Sequence, residues 1–268
     1  MPRHISDKAE IHPRAELAAD VEVGPFCVLG PQVTIGRGTR LLAQVTLLGP
    51  VALGQDNTLY PGVVLGGPPE TLDAAPGDAG LSIGDHNVIR EGVTINGGSA
   101  AGGEPTCVGH HCYLMAGCRV AHDCRLGNRV VIGNGTLLGA RTRVHDFATV
   151  AGGVEVHPQV TLGSGSYVSG LSRVLHDVPP FLLAEGNPSR VRGVNVVALK
   201  RREFAPADVH ALLEAYRLIY RTKLGLDEAW ELLRRAGQLV PSVNHLLGFL
   251  QAQEEGRHGR AREQRRAA

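Results

Sequence analysis

From Val108 to Pro179 an apolar residue recurs at every sixth position, opening units such as Val120-Ala121-His122-Asp123-Cys124-Arg125 and Leu126-Gly127-Asn128-Arg129-Val130-Val131. The same register runs from Ile5 to Leu65 without a miss. A period of six fits neither the 3.6 of an amphipathic helix nor the 2 of a half-buried strand. It is the period of a parallel β-helix, in which each unit supplies one short flat strand and one corner. Three units then make a triangular coil of 18 residues. Coils stack at about 4.8 Å, the spacing of hydrogen-bonded strands, so residues 18 apart stand one above another.

Two breaks in the register predict loops leaving the solenoid, near 67–82 and near 97–107. Pro68, Pro69, Gly77 and Gly80 mark the first, and a glycine-rich run from Gly97 to Cys107 marks the second. Loops inserted at solenoid corners often carry function. The ladder is expected to stop at Val178-Pro179-Pro180, since proline cannot donate to it. Beyond a link through 184–195, helices are expected over Pro206–Arg221, Leu226–Ala236 and Val243–Gln253, with Asp227 as N-cap of the second. The predicted organisation is a β-helix domain over 1–190 and a helical domain over 191–268. The latter ends in a basic tail of Arg257, Arg260, Arg262, Arg265 and Arg266. Glycines in second place of their units, among them Gly24, Gly30, Gly36, Gly54 and Gly66, are expected where a corner requires φ > 0.

Composition narrows the picture. Aromatic residues make up only 4% of the 268, against 35 glycines, which suits a narrow solenoid lined with aliphatic side chains. A formal net charge of +1 gives the whole chain no electrostatic footprint for nucleic acid. No apolar run approaches the roughly 20 residues of a membrane span, and no signal-peptide core follows Met1, so a cytoplasmic location is expected. Cys27, Cys112, Cys118 and Cys124 each occupy the fifth position of a hexad, the small inward slot. That register reads as inert, reduced packing rather than a metal or disulfide framework.

The chain also resembles a known family over residues 1 to about 255. The motifs that carry the resemblance are Gly24-Pro25-Phe26-Cys27, Ala121-His122-Asp123-Cys124, Asp177-Val178-Pro179-Pro180, Glu185-Gly186-Asn187-Pro188, Leu199-Lys200-Arg201-Arg202 and Ala215-Tyr216-Arg217-Leu218-Ile219-Tyr220-Arg221. They are similar to those of the acyl-(acyl-carrier-protein)–UDP-N-acetylglucosamine O-acyltransferases. Hexads alone specify only a superfamily that includes sugar acetyltransferases and carbonic anhydrases; the motifs from Asp177 to Arg221 narrow it. The resemblance implies a mainly β fold, a left-handed parallel β-helix with a C-terminal α-helical domain, assembled as a homotrimer with sites between neighbouring solenoids. It also implies transfer of a 3-hydroxyacyl chain from the phosphopantetheine thioester of acyl carrier protein to the 3-hydroxyl of UDP-N-acetylglucosamine. That reaction is the first step of lipid A synthesis, and it needs no metal or nucleotide cofactor.

Residue by residue, His122 matches the family's general base. A sugar hydroxyl is a poor nucleophile, and an imidazole titrating near 6.5 can take its proton. Asp123 is then either an orienter of the ring or a holder of substrate. Ala140, one coil above His122, stands where the family has a glycine whose N–H faces the oxyanion, and it retains that N–H. Pro158, two coils above, replaces a glutamine. His157, Asn195, Arg201 and Arg202 match positions around the nucleotide sugar or the carrier protein. Gly170 matches the end of the acyl groove.

Arg119, Arg141 and Asn96 stand where the family usually has histidines, and Gly97 stands for an arginine. Asp73 replaces a lysine expected near the diphosphate, a loss that Arg119 and Arg141 are placed to offset. The column shared by Asp123 and Arg141 predicts an ion pair. Arg190, Arg192, Lys200, Arg201 and Arg202 read either as a solvated basic face or as a dock for the acidic carrier protein. Two further readings stay open: acylation of a different acceptor such as a UDP-amino-sugar, and a non-catalytic or metal-dependent hexad protein. The histidines His110, His111, His122, His145, His157 and His176 do not show the spacing of a three-histidine metal site.

Overall fold

Each hexad folds into one strand and one corner, with the strand formed by the last residue of one unit and the first of the next, as in Arg119–Val120, Arg125–Leu126 and Val131–Ile132. The computed structural model describes residues 4–70 and 79–257. Among these the strands stack into three sheets of eleven, nine and eight strands, parallel throughout except for the last strand of the eleven, and the chain visits them in rotation. We call them the first, second and third faces, beginning with His4–Ile5, Glu10–Ile11 and Glu16–Leu17. The parallel β-helix expected from the hexads is therefore present, and the 18-residue column holds: Val120 pairs with Leu138, Leu138 with Val156 and Val156 with Val174.

First-position side chains point inward and stack as aliphatic columns; Ile132, Leu138, Val150 and Leu162 are all at most 1% exposed. Each such burial stabilises by about 1.5–3 kcal/mol before entropy is charged against it. Fifth positions also point inward. Cys27, Cys112, Cys118 and Cys124 are buried free thiols, and burial pushes Cys112 up to about 11 and Cys118 and Cys124 up to about 12. At neutral pH such thiols stay protonated and unreactive. Cys107 points outward from the third face instead, its thiol donating to the Pro105 carbonyl. Where the fifth residue is polar the coils bond to each other internally. Asn87 donates its backbone N–H and Nδ2 to Asn57 Oδ1 at 2.9 and 3.0 Å, and its Oδ1 accepts from the Cys112 N–H at 2.7 Å.

The corner conformation corrects the expectation about glycine. The left-handed residue is the fourth of the unit, as at His86, Asp123, Arg141, Phe147 and Gln159 with φ between 58° and 68°. Of the second-position glycines Gly24, Gly30, Gly36, Gly54 and Gly66, only Gly66 has positive φ. The others are glycine for lack of space: a Cβ on Gly36 would lie 2.6 Å from the Gly54 carbonyl carbon on the next coil.

Past the solenoid, the segment read as a link is an antiparallel hairpin of Leu182–Gly186 and Ser189–Val194 that closes the first face. Among the described residues four α-helices follow, α1 (Val196–Arg201), α2 (Pro206–Tyr216), α3 (Leu226–Arg235) and α4 (Pro241–Glu254). They pack through Leu212, Leu233, Leu246 and Leu247 onto Leu182 of the hairpin. Helix α1 has no counterpart among the helices expected from the pattern. The stripe predicted to run to Arg221 leaves α-geometry after Tyr216 and finishes as a π-turn over Arg217–Arg221. Asp227 is not a cap: Gly225 holds that place, and Asp227 sits in the first turn, where its charge suits the helix dipole.

Candidate active site

The three edges of the prism are not alike. The first edge joins the first face to the second, the second edge joins the second to the third, and the third edge returns to the first. Both insertions leave from the second edge, between Val64–Gly67 and Leu81–Ile83 and between Thr94–Asn96 and Thr106–Val108. They displace the register, so that Leu65 pairs with Ile95 and Ile95 with Val120 instead of with a residue 18 along. The next corner on this edge is His122-Asp123. Ala140-Arg141 and Pro158-Gln159 stack above it, with Arg141 N–H donating to the His122 carbonyl and Gln159 N–H to that of Ala140. Pro158 precedes a left-handed residue, a place in a tight turn for which its fixed φ is suited.

His122 is 8% exposed, and its Nδ1 is buried without a hydrogen-bond partner among the described residues. Burial holds its proton affinity below the ordinary imidazole range; the Asp123 charge opposes that shift and Arg141 adds to it. No bond joins Asp123 to the His122 ring; its carboxylate turns toward the second loop. There Oδ1 accepts from the Ser99 N–H at 2.7 Å and Oδ2 from the Ser99 hydroxyl at 2.6 Å, while the Asp123 N–H donates to Thr106 Oγ1 at 2.9 Å. The predicted pair with Arg141 is present, with Nε 3.5 Å from Oδ2. The N–H of Ala140 donates to no acceptor among the described residues, and Ala140 does not adopt the left-handed conformation.

Both loops are clamped to the solenoid by charge. Glu70 of the first forms an ion pair with Arg119, and Glu104 of the second pairs with Arg125. Asn96 is buried and donates Nδ2 to the Pro68 carbonyl at 2.6 Å, leaving its Oδ1 buried and unpartnered. The loops also bond to each other, Gly98 N–H to the Gly80 carbonyl at 2.7 Å and Gly97 N–H to that of Gly67 at 2.8 Å. Asp73, which stands in place of the expected lysine, lies outside the described residues, as do the tail arginines Arg260, Arg262, Arg265 and Arg266.

Within one chain the singled-out residues do not all meet. Arg119, His122, Asp123, Ala140, Arg141 and His157 share the second edge or its flank. Gly170 is on the first edge, beside Leu171 at 83% exposure. Asn195 and Arg202 lie by the third edge, against Gly165 and Phe147, and Arg201 closes α1 just before Arg202. The Asn195 side chain is spent internally: Oδ1 caps α1 through the Ala198 N–H and Nδ2 donates to the Gly165 carbonyl at 3.0 Å. Arg202 lies over the Phe147 ring at 3.9 Å and the Phe204 ring at 5.1 Å. Ser99 and Thr106 belong to no motif singled out in the sequence, though the register that puts their loop beneath His122 is readable there. Among the described residues, no three His, Cys, Asp or Glu side chains are grouped to hold a metal, and no helix is long and apolar enough to cross a membrane.

Comparison with known proteins decides the family. Residues 108–140 match the bacterial transferase hexapeptide model, and residues 177–259 match the second domain of UDP-N-acetylglucosamine O-acyltransferase. The acyl-(acyl-carrier-protein)–UDP-N-acetylglucosamine O-acyltransferase of Thermodesulfovibrio yellowstonii is 38% identical over 252 residues, covering 94% of this chain and 98% of that protein. This chain belongs to that O-acyltransferase family. The enzyme of the same name from Synechocystis is 40% identical over 217 residues, 80% of this chain and 78% of that one. Among solved structures, LpxA from Bacteroides fragilis superposes with TM-score 0.89 at 33% identity over 92% of this chain and 96% of that one. LpxA from Acinetobacter baumannii gives 0.88 at 31% over the same shares. The solenoid of this acyltransferase is accordingly the left-handed parallel β-helix, a hand that the hexad period alone did not supply.

Proposed function

We propose that the protein transfers a 3-hydroxyacyl chain from the thioester of acyl carrier protein to the 3-hydroxyl of UDP-N-acetylglucosamine in the cytoplasm, the first acylation of lipid A synthesis, with His122 as general base. The observation that carries the reading is His122 itself. In a chain of this family, it is an almost buried imidazole with an unpartnered Nδ1, on the one edge that both loops leave. Burial keeps the ring neutral at physiological pH and so able to accept a proton.

As the sugar oxygen attacks the thioester carbonyl, His122 takes the hydroxyl proton. The C–O bond forms and the carbonyl oxygen gathers negative charge, which the unengaged N–H of Ala140 is placed to stabilise. Collapse breaks the C–S bond, and the imidazolium returns its proton to the departing thiolate. Asp123 supplies a fixed negative charge beside the imidazolium without bonding to the ring. The protein's own groups suffice for these proton transfers, and no cofactor beyond the carrier's phosphopantetheine enters the scheme.

The partners are inferred from placement. Residues spread over three edges can line one cleft only if copies of the chain pack edge to edge, which favours a homotrimer. The outward column of the first face begins with His4, Glu22 and Arg40, but from Thr58 upward, through Val88, Tyr113, Val131, Thr149 and Tyr167, it carries no charge and is half-buried already, as suits a contact between copies. Arg201 and Arg202 of one copy would then meet the diphosphate at the second edge of another, and His157 the sugar. Gly170 would leave room for the acyl tail. Arg119 and Arg141 supply less positive charge than their sequence suggests, because Glu70 and Asp123 already pair with them. Arg190, Arg192 and Lys200 extend a basic surface suited to the acidic carrier protein.

The test is to incubate the purified protein with 3-hydroxyacyl carrier proteins of several chain lengths and either UDP-N-acetylglucosamine or a UDP-amino-sugar, and to weigh the products. An O-acylated UDP-N-acetylglucosamine is expected. An amide formed only on the amino-sugar would overturn the acceptor, and no transfer from any donor would overturn the activity.

A further inference from the structure

We propose that Ser99 is a positioning residue for acyl transfer: it fixes the Asp123 carboxylate, and with it the second loop, beside His122. The proposal rests on the acyltransferase reading of this site. Ser99 supplies two donors to one carboxylate, its N–H at 2.7 Å from Oδ1 and its hydroxyl at 2.6 Å from Oδ2. Arg141, the formal counter-charge, stands at 3.5 Å and contributes much less geometric control. The hydroxyl is itself held, accepting from the Gly102 N–H at 3.0 Å. The loop presses so closely that a Cβ on Gly102 would come within 2.5 Å of Asp123 Oδ1. With its side chain 8% exposed and its own N–H bonded to Thr106, Asp123 has little freedom while Ser99 is in place.

The charge so fixed lies next to the ring that must become positive during transfer. Around that ring stand Asp123 on its own corner and Arg141 on the coil above; Glu104 of the second loop is engaged with Arg125, and Glu70 of the first with Arg119. Burial and Arg141 both disfavour the imidazolium, and Asp123 opposes them. Without the Ser99 hydroxyl, Oδ2 is free to close on Arg141. The ring then loses part of its counter-charge while Arg141 stays where it is. The role is therefore electrostatic and acts through Asp123; Ser99 itself need touch neither substrate.

The test is steady-state kinetics across pH for wild type, S99A, S99T, D123N and the S99A/D123N double variant. We expect S99A to lower kcat roughly five- to tenfold, less than the full worth of a charge-assisted hydrogen bond because the Ser99 N–H still holds Oδ1 and the effect reaches His122 only through Asp123. KM for UDP-N-acetylglucosamine should change less than about twofold, since a positioning role falls on kcat. The acid limb should move to lower pH and S99T should restore both quantities. In the D123N background S99A should have no further effect, because the partner through which it acts is gone. S99C provides the same comparison if S99A folds poorly.

Unchanged kcat and acid limb in S99A, or full additivity with D123N, would overturn the proposal. Titration of the His122 ring by NMR in wild type and S99A decides it independently of turnover. If the wild type transfers nothing, the activity reading fails, yet a downward move of the ring's titration in S99A still supports the Ser99 contact and an unmoved one still refutes it.

Discussion

The second edge and the third edge of the prism are built from the same hexads and carry different contents. Along the third edge the corners repeat with few departures and most of their polar side chains bond to the neighbouring coil, although Asp20 Oδ1 and Ser166 Oγ are buried without a partner among the described residues. Asp85, Asn128 and Asp146 accept backbone N–H groups of the neighbouring coil, and His86 stacks on His111 at 4.8 Å. Along the second edge two coils open into loops, and the corners beyond them hold a histidine with an unpartnered nitrogen, a buried carboxylate tied to a loop and an unengaged N–H at Ala140. What sets the second edge apart is not one unspent group but an acceptor and a donor stacked on adjacent coils beside a loop, His122 Nδ1 and the Ala140 N–H, each left open at a cost of about 1–3 kcal/mol if buried.

That contrast can be broken most completely by denying the second edge the neighbouring copy proposed for it. V131R places a cation in the uncharged stretch of the first-face column above Thr58, and sedimentation should show a monomer with no transfer activity; an active monomer would confine the site to one chain. Next comes the core that both edges share. I132A removes a fully buried side chain from the aliphatic column and should cost about 2–5 kcal/mol in denaturant unfolding. N87A cuts the internal ladder at the third edge, leaving the buried Cys112 N–H without its acceptor, and should cost about 1–3 kcal/mol with little change in turnover.

The smallest effect sharpens the electrostatics. His122 is held below its usual range chiefly by burial, so the neutral base persists as pH falls below about 6.5. The stability contributed by keeping it neutral is present above that value and is lost as pH falls through the lowered folded-state pKa. R141A removes the repelling cation. The acid limb of kcat/KM should then move up, lowering the rate by about two- to threefold at pH 6 and hardly at all at pH 8.

The solenoid was legible because its decisive choices are local: Ile132 or Leu138 must be apolar whatever surrounds the coil, and a small fifth residue explains Cys112, Cys118 and Cys124 without any chemistry. Counting by 18 also pairs Asp123 with Arg141, as the structure does. What escaped depends on contacts the period does not encode. Gly36 gave no local sign that the obstacle was the carbonyl of another coil. Asn195 reads as a ligand-binding amide until it is seen capping α1 and bonding to Gly165. Ser99 looks like loop filler, because the carboxylate it holds lies 24 residues later in the chain. The hairpin at 182–194 and the π-turn after Tyr216 are likewise settled by packing between the helices and the last coil, which overrides local pattern.

The central claim is that proton transfer at the second edge drives acyl transfer, and His122→Ala tests it most directly. With 3-hydroxyacyl carrier protein and UDP-N-acetylglucosamine, and with unfolding unchanged from wild type, the variant should lose about 10²–10⁴-fold in kcat. Transfer at the wild-type rate by a folded H122A protein would contradict the account.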